Sequence, residues 1–233
     1  FRPKLSVTGF VAKLGTANFF NQIAMMIVQI VMNKSLTYYG SQSVYGESIP
    51  LACAGIITKV GMVFFSICIG LSQGMQPIVS FNYGAGNYKK VKQAYRLAAG
   101  IGTIISVIAF FAFQIFPRQL IGIFGSSQNE AYYTFAVRYF RIYMFFTFLN
   151  AIQPISSNFF TAIGKPGKGI FLSLTRQIIF LLPLIVIFPL FLGVDGIMYA
   201  GPIADFIAAM VSMILIYKEF GKINKLEEAT CES

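Results

Sequence analysis

The sequence predicts an all-α, polytopic membrane protein built from six transmembrane helices, and three observations carry that prediction. Of its 233 residues, 56% are hydrophobic and only 11% charged, whereas a soluble domain carries about 25% charge. The apolar residues form continuous runs of about 20, the length that crosses ~30 Å of hydrocarbon as a helix. Lysine and arginine crowd every second loop. A chain this short cannot bury so much apolar surface in a core surrounded by water. Inside lipid only helices and closed barrels satisfy their own backbone, and unbroken runs rather than alternating ones select helices.

The spans follow in order. The first runs over residues 14–36 and ends at Tyr39-Gly40; the second covers 49–75, up to a break at Gln76-Pro77. A basic connector with Lys89, Lys90, Lys92 and Arg96 leads to the third span, 97–116, stopped by Pro117. A polar turn from Gly125 to Glu130 precedes a long fourth span, 132–163, interrupted at Pro154. Gly164-Lys165-Pro166-Gly167-Lys168-Gly169 is a loop by composition. The fifth span, 170–192, carries Pro183 and Pro189; after a turn at Gly193 to Gly196 the sixth occupies 197–217. Residues 1–217 thus form one bundle, and 218–233 a charged cytoplasmic tail.

Orientation comes from the basic residues. Arg2, Lys4, Lys13, Lys89, Lys90, Lys92, Arg96, Lys165, Lys168, Lys218, Lys222 and Lys225 fall on one side, with Arg176 just inside the fifth span. The opposite loops hold Lys34 and Arg118, with Arg138 and Arg141 just inside the fourth span. The positive-inside rule assigns the first group, and both ends of the segment, to the cytoplasm. The net charge of +10 is therefore read as membrane topology, with lipid and not nucleic acid as the partner.

Several chemistries are excluded. Without histidine there is no imidazole base and no His-ligated metal. Cys53, Cys68 and Cys231 form no CxxC pair. The glycine-rich loop at 164–169 lacks the spacing of a phosphate-binding loop and follows no strand. No cofactor, metal site or enzyme activity is predicted.

Polar side chains line up on single helix faces. At ~100° per residue, Asn18, Gln22, Gln29 and Asn33 fall within about 60° of one another. Thr147, Asn150, Ser157 and Thr161 share a face of the fourth span, and Lys59, Ser66 and Gln73 recur every seven residues on the second. Such stripes line water-filled pathways or tie helices together. The predicted cavity residues are Asn18, Gln22, Gln29, Asn33, Gln73, Asn150 and Ser157. Two charges fall deep in the membrane. Asp205 is nine residues past Gly196, so roughly 14 Å in, and Lys59 lies at similar depth. Central ionised residues cost about 2.5–3.5 kcal/mol to insert and face a cavity or a partner. Asp205 and Lys59 are ion-coupling candidates if apart and a structural pair if together; the lysine could also snorkel to the interface.

The stretch Gly70-Leu71-Ser72-Gln73-Gly74-Met75-Gln76-Pro77-Ile78-Val79-Ser80-Phe81-Asn82-Tyr83-Gly84-Ala85, followed by Lys89-Lys90-Val91, resembles the signature after the second helix of a lobe in MATE (multidrug and toxic compound extrusion) transporters. Ala162-Ile163-Gly164-Lys165-Pro166 and Arg176-Gln177 are similar to the loop and fifth helix of that lobe, and Gly193 to Asp205 to the entry of its last helix. The resemblance implies two six-helix lobes that alternate between inward- and outward-open states. This chain resembles the second lobe, helices seven to twelve. It opens on Phe1-Arg2-Pro3-Lys4 without an initiator Met and is read as part of a longer protein.

The implied activity is export of amphipathic or cationic small molecules from the cell (inner or plasma) membrane in exchange for sodium or protons. Some members carry acidic coupling residues on helices seven and ten; the matching spans here, 14–36 and 132–163, contain no Asp or Glu. Two other readings stay open. Lys59, Arg138 and Arg141 suit a cationic cavity, as in a lipid-linked-sugar flippase of the same superfamily. A self-assembling six-helix channel or interaction protein would need no second lobe.

Overall fold

The computed structural model describes residues 5–124 and 130–231; Arg2, Lys4 and the turn at 125–129 lie outside them. Among the described residues the fold is all-α. It comprises α1 (Leu5–Ser41), α2 (Ser48–Gly84), α3 (Tyr88–Ile115), α4 (Pro117–Phe124), α5 (Glu130–Tyr143), α6 (Ile152–Ala162), α7 (Pro166–Leu174), α8 (Leu182–Leu192) and α9 (Val194–Cys231). A 3-10 turn, Thr147–Leu149, joins α5 to α6, and a π-helical segment, Thr175–Leu181, joins α7 to α8. Taken as rods, these are α1, α2, α3, α5–α6, α7–α8 and α9. Four stretches, Ser48–Gly84, Tyr88–Ile115, Pro166–Leu192 and Val194–Glu228, are long and apolar enough by themselves to cross a membrane.

Several boundaries differ from the sequence reading, each for a local reason. α2 continues through Pro77 to Gly84, because membrane helices tolerate a proline whose freed carbonyl is satisfied elsewhere. The basic connector is the first turns of α3 rather than a loop, since α3 starts at Tyr88 behind Gly86 (φ 73°). The interruption predicted at Pro154 falls earlier, around the 3-10 turn, and Pro154 occupies the first turn of α6. There its missing N–H costs no hydrogen bond. The expected charged tail is a continuation of α9. Ile216, Phe220 and Ile223 recur at helical spacing and pack into the core, so the helix keeps a buried stripe beyond residue 217.

α6 packs against α7 and α2, α2 against α3, and α9 against α8 and the π-helical segment, while α1 rests on α7, α2 and α8. Lipid tails are as apolar as leucine, so association rests on close packing. α9 supplies a buried strip of small residues, Ala200, Gly201, Ala204, Ala208, Ala209 and Ser212. Aromatic rings fill the spaces edge to face, among them Tyr95 against Phe159 and Phe220, with centroids 4.9 and 5.3 Å apart, and Phe113 against Phe140 at 5.5 Å.

The loop between α6 and α7 shows how the sequence fixes one reversal. Gly164 adopts φ 75°, the left-handed conformation that ends helices. Its N–H donates to the Thr161 carbonyl at 3.1 Å and the Lys165 N–H to the Phe160 carbonyl at 2.9 Å. Pro166 then starts α7, where its missing donor costs nothing.

Candidate functional site

Asp205 sits at the start of the fourth turn of α9 and is 5% exposed. Its partner is not Lys59. The Arg176 Nε donates to Asp205 Oδ1 at 2.5 Å, and the Asn150 Nδ2 to Oδ2 at 2.9 Å. Both carboxylate oxygens are therefore engaged. The guanidinium also lies 5.1 Å from the centroid of the Phe65 ring, a cation–π contact that offsets part of its desolvation. The ring of Tyr143 rests against Gly201, one turn before Asp205, where a Cβ would overlap it. Segments from four rods thus meet at one charge pair: the α5–α6 connection, the π-helical segment, α9 and α2.

Local backbone structure places each of these groups. Arg176 lies within the π-helical segment, whose extra residue per turn shifts side chains off the regular face, a device frequent at functional sites. Asn150 caps the 3-10 turn between α5 and α6, so the interruption of that rod directs its side chain to the carboxylate.

The other predicted residues divide into two groups. Ser157 is taken up between helices: its hydroxyl donates to the Gly169 carbonyl and pairs with the Ser173 hydroxyl, each at 2.9 Å. Gly169 permits this approach, since a Cβ there would stand 2.7 Å from the Ser157 carbonyl oxygen. Thr147 is buried and donates to the Met144 carbonyl. Asn150 and Ser157 therefore tie helices together, the alternative reading of that stripe.

The polar residues of α1 and α2 remain uncovered. Gln22 and Asn33 are exposed and Gln29 half-buried, with the Gln29 Nε2 donating to Asn33 Oδ1 at 3.2 Å. The Asn18 side chain lies outside the described residues. On α2, Lys59, Ser66 and Gln73 are all exposed, and Lys59 takes part in no ion pair among the described residues. It lies on an outer face because Val60, Gly61 and Phe64 turn the opposite side of α2 inward. Arg138 pairs with Asp195 at 2.8 Å with both side chains well exposed, which leaves it less free to recognise a ligand.

The residues of the sequence signature do structural work at the basic end. Gly74, Gln76 and Pro77 lie within α2, and the Ser80 hydroxyl donates to the Ala162 carbonyl at 3.0 Å, joining α2 to the end of α6. Asn82 Nδ2 donates to the Ile78 carbonyl at 2.8 Å, and Tyr83 meets the Tyr88 ring at 5.7 Å. Gly84 ends α2.

A second polar cluster escaped the sequence reading. Glu219 is 1% exposed and accepts from both Lys165 and Lys168, while Lys92 bonds Glu227 at 2.6 Å and Asn224 at 2.7 Å. These bonds fasten the end of α9 to the α6–α7 loop and to α3. The continuing apolar stripe Ile216, Phe220 and Ile223 was the signal for it.

A family model described as MatE matches residues 17–187. The chain belongs to the MatE family. Curated MatE relatives include the multidrug export protein MepA of Staphylococcus aureus (strain bovine RF122 / ET3-1), 24% identical over 218 residues, which is 93% of this chain and 46% of the relative. MepA of Staphylococcus saprophyticus is 25% identical over the same extent. Among solved structures, an outward-facing multidrug resistance MATE transporter matches 97% of the chain at a TM-score of 0.85 and 19% identity. An inward-facing one matches 97% at 0.81 and 20% identity. The chain covers 49% and 50% of those two structures. It therefore spans about half the length of the MatE relatives it matches, and its fold is that of one six-helix lobe of such a transporter.

Proposed function

We propose that the chain is one lobe, the second, of a secondary transporter that exports amphipathic or cationic small molecules across the cell membrane in antiport with sodium or protons. A second six-helix lobe completes the protein and the substrate passes between the two. The observation that carries this reading is the polar side chains left open on α1 and α2: Gln22, Asn33, Lys59, Ser66 and Gln73 are exposed and Gln29 half-buried, among exposed apolar side chains such as Met26, Ile30 and Met62. Uncovered amides and an ammonium are costly against lipid, so this face fits a water-filled cleft between lobes.

Within this reading the Arg176–Asp205 pair positions helices. A proton or sodium ion reaching Asp205 meets oxygens that already accept from Arg176 and Asn150, so coupling through Asp205 competes with those bonds. Lys59 belongs to the open face, where an ammonium repels cationic substrates on one side of the cleft and holds anionic groups. Arg138 is engaged by Asp195, which leaves a flippase-type basic cavity with less charge than the sequence offered.

The test is transport by the complete protein in proteoliposomes, with sodium and proton gradients imposed separately. Efflux of an amphipathic cation driven by one gradient supports the proposal; transport that ignores both gradients rejects antiport. Asn33→Leu and Gln73→Leu should lower transport severalfold without loss of folded protein. Unchanged transport in both would remove the open face from the substrate path.

A further inference from the structure

An open groove of about 770 Å³ runs between α3 and α9, lined by Tyr95, Gly100, Thr103, Ile104, Val107 and Ile108 of α3, Met213, Tyr217 and Phe220 of α9, and residues beside them. The hydroxyls of Thr103 and Tyr95 within it are already satisfied. The Thr103 hydroxyl donates to the Ala99 carbonyl at 2.8 Å, and the Tyr95 hydroxyl pairs with Ser156 at 2.9 Å. The groove therefore offers hydrocarbon along its length, in contrast to the amides exposed on α1 and α2. From Tyr95 to Ile108 it extends roughly 20 Å along α3. One leaflet contributes ~15 Å to the hydrocarbon core, so a full acyl chain fits.

One end of the groove is charged. At 100° per residue, Lys89, Lys92 and Arg96 fall on the same face of α3 as Gly100, Thr103 and Val107, and helical side chains lean towards the N-terminus, away from the groove floor. Lys92 bridges to Glu227 and Asn224 of α9 and closes that end. Lys89 and Arg96 are exposed and enter no ion pair among the described residues. Glu227 is paired with Lys92, and the exposed Glu228 next to it lies about 100° further round α9. Tyr217, 82% exposed, stands at the rim, where aromatic rings settle at the headgroup level.

We infer that the α3–α9 groove is a binding site for an anionic phospholipid of the leaflet at the basic end, with one acyl chain along Gly100, Ile104 and Ile108 and the phosphate on Arg96 and Lys89. The site is distinct from the open polar face and independent of transport direction and coupling ion. A bound chain fills the space between α3 and α9 that the protein leaves unfilled, and the headgroup supplies the anion that Lys89 and Arg96 lack.

The test uses native mass spectrometry of the complete protein, titrated with phosphatidylglycerol, with phosphatidylcholine of identical chains, or with glycerol 3-phosphate alone. Gly100 lines the groove, and a Cβ there meets nothing within 4 Å, so Gly100→Phe is the variant chosen to fill it. Ile104→Gln, at a 61% exposed position, puts an amide in the acyl path should Gly100→Phe fail to fold. Wild type should retain phosphatidylglycerol in preference to phosphatidylcholine. Either groove variant should lose that retention at an unchanged melting temperature. Arg96→Gln should weaken it about fivefold, the worth of one basic group at an anionic surface. The inference is overturned if retention survives both groove variants, if Arg96→Gln leaves the headgroup preference intact, or if glycerol 3-phosphate binds as tightly as the lipid.

Discussion

Arg176 and Asp205, 29 residues apart in the chain, form a bidirectional anchor between the π-helical segment and α9, with Nε 2.5 Å from Oδ1. Their side chains are only 15% and 5% exposed. Each charge is tolerable at this depth because the other is there.

Asp205→Asn strands the Arg176 guanidinium. Removing one partner of a buried pair costs about 3–5 kcal/mol, so the variant should fold in lower yield and melt earlier in detergent. Pairing it with Arg176→Met should recover much of that loss, because the double variant buries no lone charge. A double variant no more stable than Asp205→Asn alone would show that the pair is not the source of the effect.

Gly169→Ala should destabilise by about 1–3 kcal/mol, the usual range for overpacking. Its methyl group would lie 2.7 Å from the Ser157 carbonyl oxygen and 3.0 Å from the Thr161 hydroxyl. The backbone of α6 cannot yield as a flexible side chain would. Thermal unfolding read against Gly167→Ala, where a Cβ meets nothing within 4 Å, isolates the steric effect from helix propensity.

Glu219→Gln removes the negative charge and one of the two acceptor oxygens that serve Lys165 and Lys168. Hydrogen bonds to charged groups contribute about 1.5–3 kcal/mol, and both lysines are more than a third exposed, so the lower end applies. The loss should appear as faster protease cleavage near the end of α9, and as weaker salt dependence of stability than in the wild type.

Cysteine labelling separates the two outer faces of the lobe. In the complete protein with Cys231→Ser, Cys53 and Cys68 stay unreactive because both are buried. Asn33→Cys and Gln73→Cys should react with a membrane-impermeant maleimide in at least one state of the cycle, and Ile108→Cys should not. Equal reactivity at Ile108 would place water where the phospholipid groove is proposed.

How much of this was legible beforehand depends on the range of the interaction involved. Apolar runs, basic ends and the Gly164-Pro166 reversal are local: each follows from a few neighbouring residues and the thickness of a membrane. The sequence alone therefore determined an all-α membrane bundle and its family resemblance. It also marked Asp205 as a deep charge that faces a cavity or a partner.

The identity of that partner was decided only by tertiary structure, because it depends on how each helix is rotated about its axis and where it bends. A π-helical segment turned Arg176 inward to Asp205, and a 3-10 turn aimed Asn150 at the second carboxylate oxygen. The packing of Val60 and Phe64 left Lys59 outside. The polar stripes looked alike in sequence, yet α6 spent Ser157 on a neighbouring helix while α1 and α2 kept their amides open. Periodicity defines a face; which face is covered depends on the neighbours that pack against it.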